Sequence, residues 1–294
     1  MKTYEEERPR LFALAYRMLG SAADAEDVVQ EAFATLHRTG ATPDSPAAWL
    51  TTVLTRLCLD RAGSAARRRE VYVGPCLPEP IPTPDLPDAI EPGDRLSTAE
   101  SVSIAFLLVL ERLSPLERAV FLLREAFDAD FAEIAASLGR SEAACRQLLH
   151  RAKERVAAGR PRFTPARESH KALVLEFLQA SRSGDVDGLK RLLSEDVELV
   201  GDGGGKVTAA RNVLVGTERV ARFLAGVAER AAGLSYAIGW VNGELAFTLR
   251  DEAGVIAVTV LSLAPSGDRI ARIQSVLNPD KLRSFGSIGE GSIA

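Results

Sequence analysis

Two helical domains followed by a domain of mixed helix and strand are the fold class that this sequence predicts. Three observations carry that expectation. Apolar residues recur at helical spacing through the first 160 residues, with no sustained alternation. Seven prolines (Pro75, Pro78, Pro80, Pro82, Pro84, Pro87 and Pro92) interrupt the pattern and forbid helix, so the helical part divides in two. Beyond Arg167, helices give way to segments alternating apolar and polar residues, the period of half-buried strands. The expected boundaries are 1–70, a Pro-rich linker at 71–96, 97–160, 167–285 and a tail at 286–294.

The first domain reads as three helices. Leu11, Leu14, Ala15, Met18 and Leu19 form one stripe, which Gly20 ends. Ser21 caps a second helix whose apolar positions are Ala25, Val28, Val29, Ala32, Phe33 and Leu36. Its other face is acidic and amide-rich (Asp24, Glu26, Asp27, Gln30, Glu31), and acids in a first turn also suit the helix dipole. After a loop at 39–44, Ser45-Pro46 opens a third helix with Trp49, Leu50, Val53, Leu54, Leu57 and Cys58 inward. That helix ends in Arg67-Arg68-Arg69.

Helix resumes near Ser97 and runs to Leu113. Ser114-Pro115-Leu116-Glu117 then supplies an N-cap, a proline at N1 and a Glu at N3, a capping box for the next helix. Residues 130–156 follow as helix, tight turn, helix. Ala132, Ile134, Ala135 and Leu138 give the first an apolar stripe, Gly139 turns the chain, and Ser141 caps the second. Cys145, Leu148, Leu149, Ala152 and Val156 face inward there. Glu142, Arg146, Gln147, His150, Arg151 and Lys153 face out, the pattern of a DNA-binding helix-turn-helix. A solvated helical hairpin is the plainer alternative.

Past a break at 159–165 come two amphipathic helices, then strands expected at 197–200 and 207–214. A helix at 217–230 precedes strands near 234–241, 244–249, 255–263 and 270–276, an α+β domain with a curved antiparallel sheet.

The net charge of −4 argues against a wholly basic nucleic-acid coat, but it averages over a division. Residues 140–171 carry nine Lys/Arg against three acids, whereas 79–100 carry six acids and one Arg. One surface suits DNA and another avoids it. Cys58, Cys76 and Cys145 are far apart, which indicates neither a disulfide framework nor a zinc site. His37, His150 and His170 are equally scattered. With no apolar run near the roughly 20 residues that span a bilayer, the expectation is a cytoplasmic protein without metal or cofactor.

The order of parts resembles an extracytoplasmic-function (ECF) sigma factor, a bacterial RNA polymerase subunit of the sigma-70 family. Asp24-x-Glu26-Asp27-Val28-Val29-Gln30-Glu31-x-Phe33 is similar to the region 2 helix of that family. The segment from Ser114-Pro115-Leu116-Glu117-Arg118 to Ala152 is similar to region 4, which reads the −35 element. The linker segment 72–80, the cluster Asp202-Gly203-Gly204-Gly205-Lys206 and the tail Asn278-Pro279-Asp280-Lys281-Leu282 resemble the subgroup with a fused SnoaL-like C-terminal domain. Cys76 departs from that subgroup's linker, where Trp is expected.

The resemblance implies a sigma factor that binds core polymerase (β′ clamp helices and β flap) and promoter DNA, and that is monomeric when free. Asp24, Asp27, Gln30 and Glu31 would contact polymerase. Ser141, Arg146, Gln147, His150, Arg151 and Lys153 would contact the −35 element. Arg146 can bond bidentately to guanine and Gln147 to adenine, while Arg151 and Lys153 suit phosphates. Asp44, Trp49, Arg67 and Arg68 would serve the −10 element, although Trp49 is also well explained as core. Asp202, Gly203, Gly204, Gly205, Lys206, Asn278, Pro279 and Asp280 would regulate, the resemblance placing the Asp202–Lys206 loop and the Asn278–Leu282 tail against the linker or region 2; the Gly triplet alone also reads as a tight turn.

Two other functions fit parts of the chain. A helix-turn-helix repressor with a ligand-binding C-terminal domain would have no use for the acidic face at 24–31. A SnoaL-like cyclase or isomerase needs a carboxylate base paired with a donor. Asp196 or Asp202 could be that base, but no spacing pairs either with Tyr236, His170 or Trp240.

Overall fold

A computed structural model describes residues 4–40, 43–69, 72–83, 103–159, 167–231 and 233–285. Much of the acidic stretch after residue 83, the break at 160–166 and the tail lie outside the described residues. The chain forms two compact units. One joins residues 1–71 with 85–160; the other joins 72–84 with 161–294.

In the first unit, α1 (Tyr4–Leu19), α2 (Ala22–Thr39) and α3 (Pro46–Arg69) pack on one another. Gly20 has a φ of +69°, which lets the chain reverse at once into α2. The Ser21 hydroxyl accepts from Asp24 N at 3.1 Å, the expected cap. Ala25, Val28, Val29, Ala32 and Phe33 are buried, as the stripe requires. Leu50, Leu54 and Cys58 are buried on α3, whereas Trp49, Val53 and Leu57 are only half-buried. Burial pushes the Cys58 thiol well above its ordinary pKa, so it is an inert core group.

Further helices complete the unit: α4 (Ile104–Glu111), α5 (Pro115–Glu125), α6 (Phe131–Leu138) and α7 (Glu142–Gly159). The capping box at α5 is present, with Ser114 N donating to Glu117 at 2.9 Å and Glu117 N to the Ser114 hydroxyl at 3.3 Å. A second box, Asp130 with Glu133, starts α6. Ile134 and Ala135 are buried on α6, but Ala132, expected inside, is exposed, because the stripe on this two-turn helix is narrower than its apolar content.

The two helical domains touch within this unit. Arg118, buried, donates to Leu110 O at 2.9 Å and Met18 O at 2.5 Å. Arg56 on α3 donates to Ser137 O at 2.9 Å and Ala136 O at 3.2 Å, beside a 2.8 Å bond between Thr52 and Ser137.

The second unit is α+β. Helices α8 (Arg167–Ser183), α9 (Val186–Leu192) and α10 (Thr217–Ala228) pack on a six-stranded sheet. The strands are β1 (Leu193–Asp202), β2 (Leu214–Val215), β3 (Ser235–Val241), β4 (Glu244–Asp251), β5 (Gly254–Leu263) and β6 (Ile270–Val276), in the order β2-β1-β6-β5-β4-β3.

Two expectations fail here. The sheet is mixed, because β1 runs parallel to β6 (Leu199 beside Ile273). The strand expected at 207–214 shrinks to β2: a turn at Gly203–Lys206 carries the chain off the ladder, and Val207 and Val213 are exposed. One sheet face carries Leu199, Leu245, Phe247, Leu261 and Ile273 into a core shared with Val174, Phe177, Val220 and Ala221 of the helices.

Candidate nucleic-acid interface and linker site

On α2 the buried stripe turns the opposite face outward. Asp27, Gln30 and Glu31 are exposed and Asp24 is half-buried. Arg61 of α3 reaches this face, 3.0 Å from Asp27 and 3.6 Å from Asp24, so two of the four expected residues have a partner within the unit.

On α7, Cys145, Leu149, Ala152 and Val156 are buried, with Leu148 half-buried. Ser141, Arg146, Gln147, His150, Arg151 and Lys153 are all exposed, as the periodicity requires. Their charges are not idle. Arg146 bonds Glu142 one turn back at 2.6 Å and lies over the Phe131 ring at 4.8 Å. His150 is 3.6 Å from Glu154. Lys153 pairs with Glu125 at 2.8 Å, while Arg155 and Arg151 converge on Glu117 at 2.5 and 3.6 Å. Burial pushes the Glu117 carboxyl up, but the Ser114 bonds and then the two arginines outweigh it, leaving its pKa below the ordinary value. Arg151 therefore helps to lock α7 onto α5 as well as facing solvent.

The expected −10 residues are less gathered. Asp44 is exposed, Trp49 is half-buried at the start of α3, and residues 41–42 lie outside the described residues. Arg67 and Arg68 fall in the last turns of α3, and their side chains lie outside them too.

The tightest polar site belongs to the second unit and centres on Asp202, which has no exposed surface. One carboxylate oxygen accepts from the Tyr72 hydroxyl at 2.5 Å and Gly204 N at 3.1 Å. The other accepts from Leu77 N at 2.9 Å and Lys281 Nζ at 2.8 Å. Its own carbonyl accepts from Leu277 N and Asn278 N, which fixes the tail beside it. Asn278 donates to Tyr72 at 2.9 Å and caps the 3-10 turn Pro279–Lys281. Lys281 also donates to Leu77 O at 2.5 Å, approaches Cys76 Sγ at 3.2 Å and lies 5.1 Å from the Tyr72 ring.

Two pKa values record this crowding. Burial, then the bond to Asp202, push the Tyr72 hydroxyl up to about 12. Burial alone would lower Lys281, but the neighbouring Cys76 and Asp202 hold it above an ordinary lysine. Gly204 explains one glycine of the cluster: it has a φ of +59°, and a Cβ there would come within 2.3 Å of the Asn278 amide. Lys206 stays at the surface, paired with Asp280 at 2.5 Å.

The rest of the linker is docked as well. Residues 77–82 are buried. Ile81 exchanges two bonds with Asn242 at 2.8 and 2.9 Å, Pro82 bridges Val241, and Gly243 N donates to Thr83 at 3.0 Å. Burying Leu77 and Ile81 contributes about 3–6 kcal/mol together, so the strap is held by packing as well as by the carboxylate. Sequence reasoning set the Asn278–Leu282 tail, Lys281 included, against the linker or region 2, quoted Tyr72 and Leu77 without assigning them a role, and missed Ile81 and Asn242. No local pattern announces a partner 130 or 161 residues away.

Comparison with known proteins identifies the family. Sigma-70 region 2 matches residues 3–68, and Sigma-70 region 4 matches residues 103–156. ECF RNA polymerase sigma factor SigJ of Mycobacterium tuberculosis is 38% identical over 95% of this chain and 91% of its own length. The chain belongs to the ECF sigma factors. The probable ECF sigma factor SigI of the same species is 33% identical over 94% of this chain and 92% of its own. The crystal structure of M. tuberculosis SigJ matches with a TM-score of 0.74 and 35% identity, over 96% of this chain and 97% of that one. Region 2 is thus α1–α3 and region 4 is α4–α7, and the α+β unit is the part whose SnoaL-like character rests on the sequence resemblance. A sigma factor binds core RNA polymerase and directs initiation at promoters. Among the described residues no helix is long and apolar enough to cross a membrane.

Proposed function

We propose that the SnoaL-like domain of this sigma factor regulates initiation by gripping the linker between regions 2 and 4. The observation that carries this reading is Asp202, a buried carboxylate that takes two of its four hydrogen bonds from linker residues. Regions 2 and 4 pack on each other through α3 and α6, which supports a closed arrangement. Elements at −10 and −35 lie about 25 base pairs apart, roughly 85 Å along a duplex. A compact unit of about 150 residues has a radius of gyration of only about 15 Å. The regions must part to reach both elements, and a gripped linker opposes that.

On this reading Asp27, Gln30 and Glu31, with Asp24 at the edge, meet the β′ clamp helices in the cytoplasm, and region 4 meets the β flap. Arg146, Gln147, His150 and Ser141 read the −35 element while Arg151 and Lys153 face phosphates. Asp44, Trp49, Arg67 and Arg68 serve the −10 element. Catalysis by the SnoaL-like domain is disfavoured. Asp202 is saturated with donors, Asp196 is exposed, and His170 is spent on Leu261 O at 2.9 Å, its pKa lowered by burial.

The test is retention on core polymerase and run-off transcription, with Tyr72→Phe and Asp202→Asn beside the unaltered chain. The unaltered chain should be retained, and both variants should change transcription several-fold while melting as folded proteins. Unchanged transcription by folded variants would sink the linker reading; failure of retention would sink the polymerase contacts.

A further inference from the structure

The outward face of α7 is steadied by a residue that does not lie on it. Phe131 opens α6, where the Asp130–Glu133 capping box fixes the backbone. Its ring is half-buried and within cation–π reach of two guanidiniums, Arg146 of α7 at 4.8 Å and Arg124 of α5 at 5.5 Å. Arg124 also donates to Ala129 O at 2.8 Å, which ties the loop just before the ring to α5. We propose that Phe131 is a positioning residue for promoter reading, setting the plane in which Arg146 meets a guanine of the −35 element. This rests on the reading of Arg146 given above.

Two groups hold the Arg146 guanidinium, and they differ in what they leave free. Glu142 takes an N–H on its edge, at 2.6 Å. A guanine needs that same edge, because its O6 and N7 accept from two N–H groups of the fork. Glu142 must therefore yield when the base arrives. A ring takes the face instead, and the guanidinium donors all lie in its plane. Phe131 can keep its hold while the edge bonds. A contact that persists through binding reduces the side-chain freedom lost there, so it sharpens the preference without touching DNA. The ring carries no charge, so removing it leaves phosphate contacts and their salt dependence as they were. Nor does the core of α6 depend on it, since Ile134 and Ala135 are the buried apolar residues of that helix.

The test is transcription by holoenzyme from promoters randomised across the −35 element, with the transcribed templates sequenced. Arg146→Ala should flatten the base preference at one position. Phe131→Leu should weaken the preference at that same position about two- to fivefold, the worth of an exposed cation–π contact. Phe131→Tyr keeps a ring and should restore it. Preferences elsewhere and the salt dependence should not move. Phe131→Met replaces the leucine variant should that one fail to fold. A folded ringless variant that keeps the preference Arg146→Ala loses, or that weakens every position alike, would overturn the proposal. If Arg146→Ala flattens no position, the reading of Arg146 fails and the proposal falls with it.

Discussion

The outward side of α7, which we propose faces DNA, and the Asp202 site are both built from charged groups, and they spend charge in opposite ways. On α7 the cations are more than half exposed, and each holds a carboxylate of its own unit: Arg146 at Glu142, Lys153 at Glu125, Arg151 at Glu117. The Arg146–Glu142 pair, exposed on both sides, contributes about 0–1 kcal/mol, so a base edge can take that cation over at little cost, whereas Glu117 and Glu125 are mostly buried and keep a share of Arg151 and Lys153. At Asp202 a carboxylate with no exposed surface faces four donors. Removing one partner of a buried pair costs about 3–5 kcal/mol, so that contact changes only when something larger drives it. Exchangeable charge makes a reading surface; buried charge makes a latch.

The largest effect should come from breaking the latch outright. Asp202→Ala leaves Lys281 largely desolvated without its counter-charge and Leu77 N without its acceptor, so the second unit should lose about 3–5 kcal/mol. Thermal melting of the variant, with limited proteolysis at residues 72–83, measures both the loss and the release of the strap. A loss below about 1 kcal/mol would put Asp202 in the same class as the α7 pairs. The comparison would then collapse.

Arg146→Ala comes next and concerns sequence preference. Bidentate contact to a base is worth about 1–3 kcal/mol of discrimination, whereas the bond given up to Glu142 is a surface pair. Binding to the preferred −35 element should fall by about that amount, with little change on unrelated DNA. Lys153→Ala should do the reverse, weakening all sequences alike and flattening the salt slope by about one unit. Equal losses from both substitutions on every sequence would mean that the two residues do not divide reading from holding.

Legibility followed the range of the interaction. Helix starts were legible because Ser21, Ser114 and Glu117 act within three residues of themselves. The inside and outside of α7 were legible because period alone decides them. The parallel β1–β6 pairing was not, since alternation names a face and says nothing of a neighbour some 75 residues on. Val207 and Val213 alternate like a strand, yet the turn at Gly203 removes them from the sheet. The SnoaL-like resemblance brought Asp202 and the tail to notice. That resemblance set the loop and the tail against the linker or region 2, but it named neither Tyr72 and Leu77 as the carboxylate's partners nor Lys281 as its counter-charge. Where Trp was expected, Cys76 meets the Lys281 ammonium.

The smallest effect separates the two ends of the Asp202–Lys206 cluster. Lys206 and Asp280 are each about half exposed, and their 2.5 Å pair sits in solvent, where it contributes no more than about 1 kcal/mol. Lys206→Ala should therefore leave melting within about 1 kcal/mol of the unaltered chain and leave run-off transcription unchanged, while Asp202→Asn shifts transcription several-fold. A double substitution at both positions would hide this difference, so each should be measured singly. If Lys206→Ala changes transcription as much as Asp202→Asn without lowering the melt, the exposed charge of the loop carries the regulation. The buried carboxylate would then only hold the fold together.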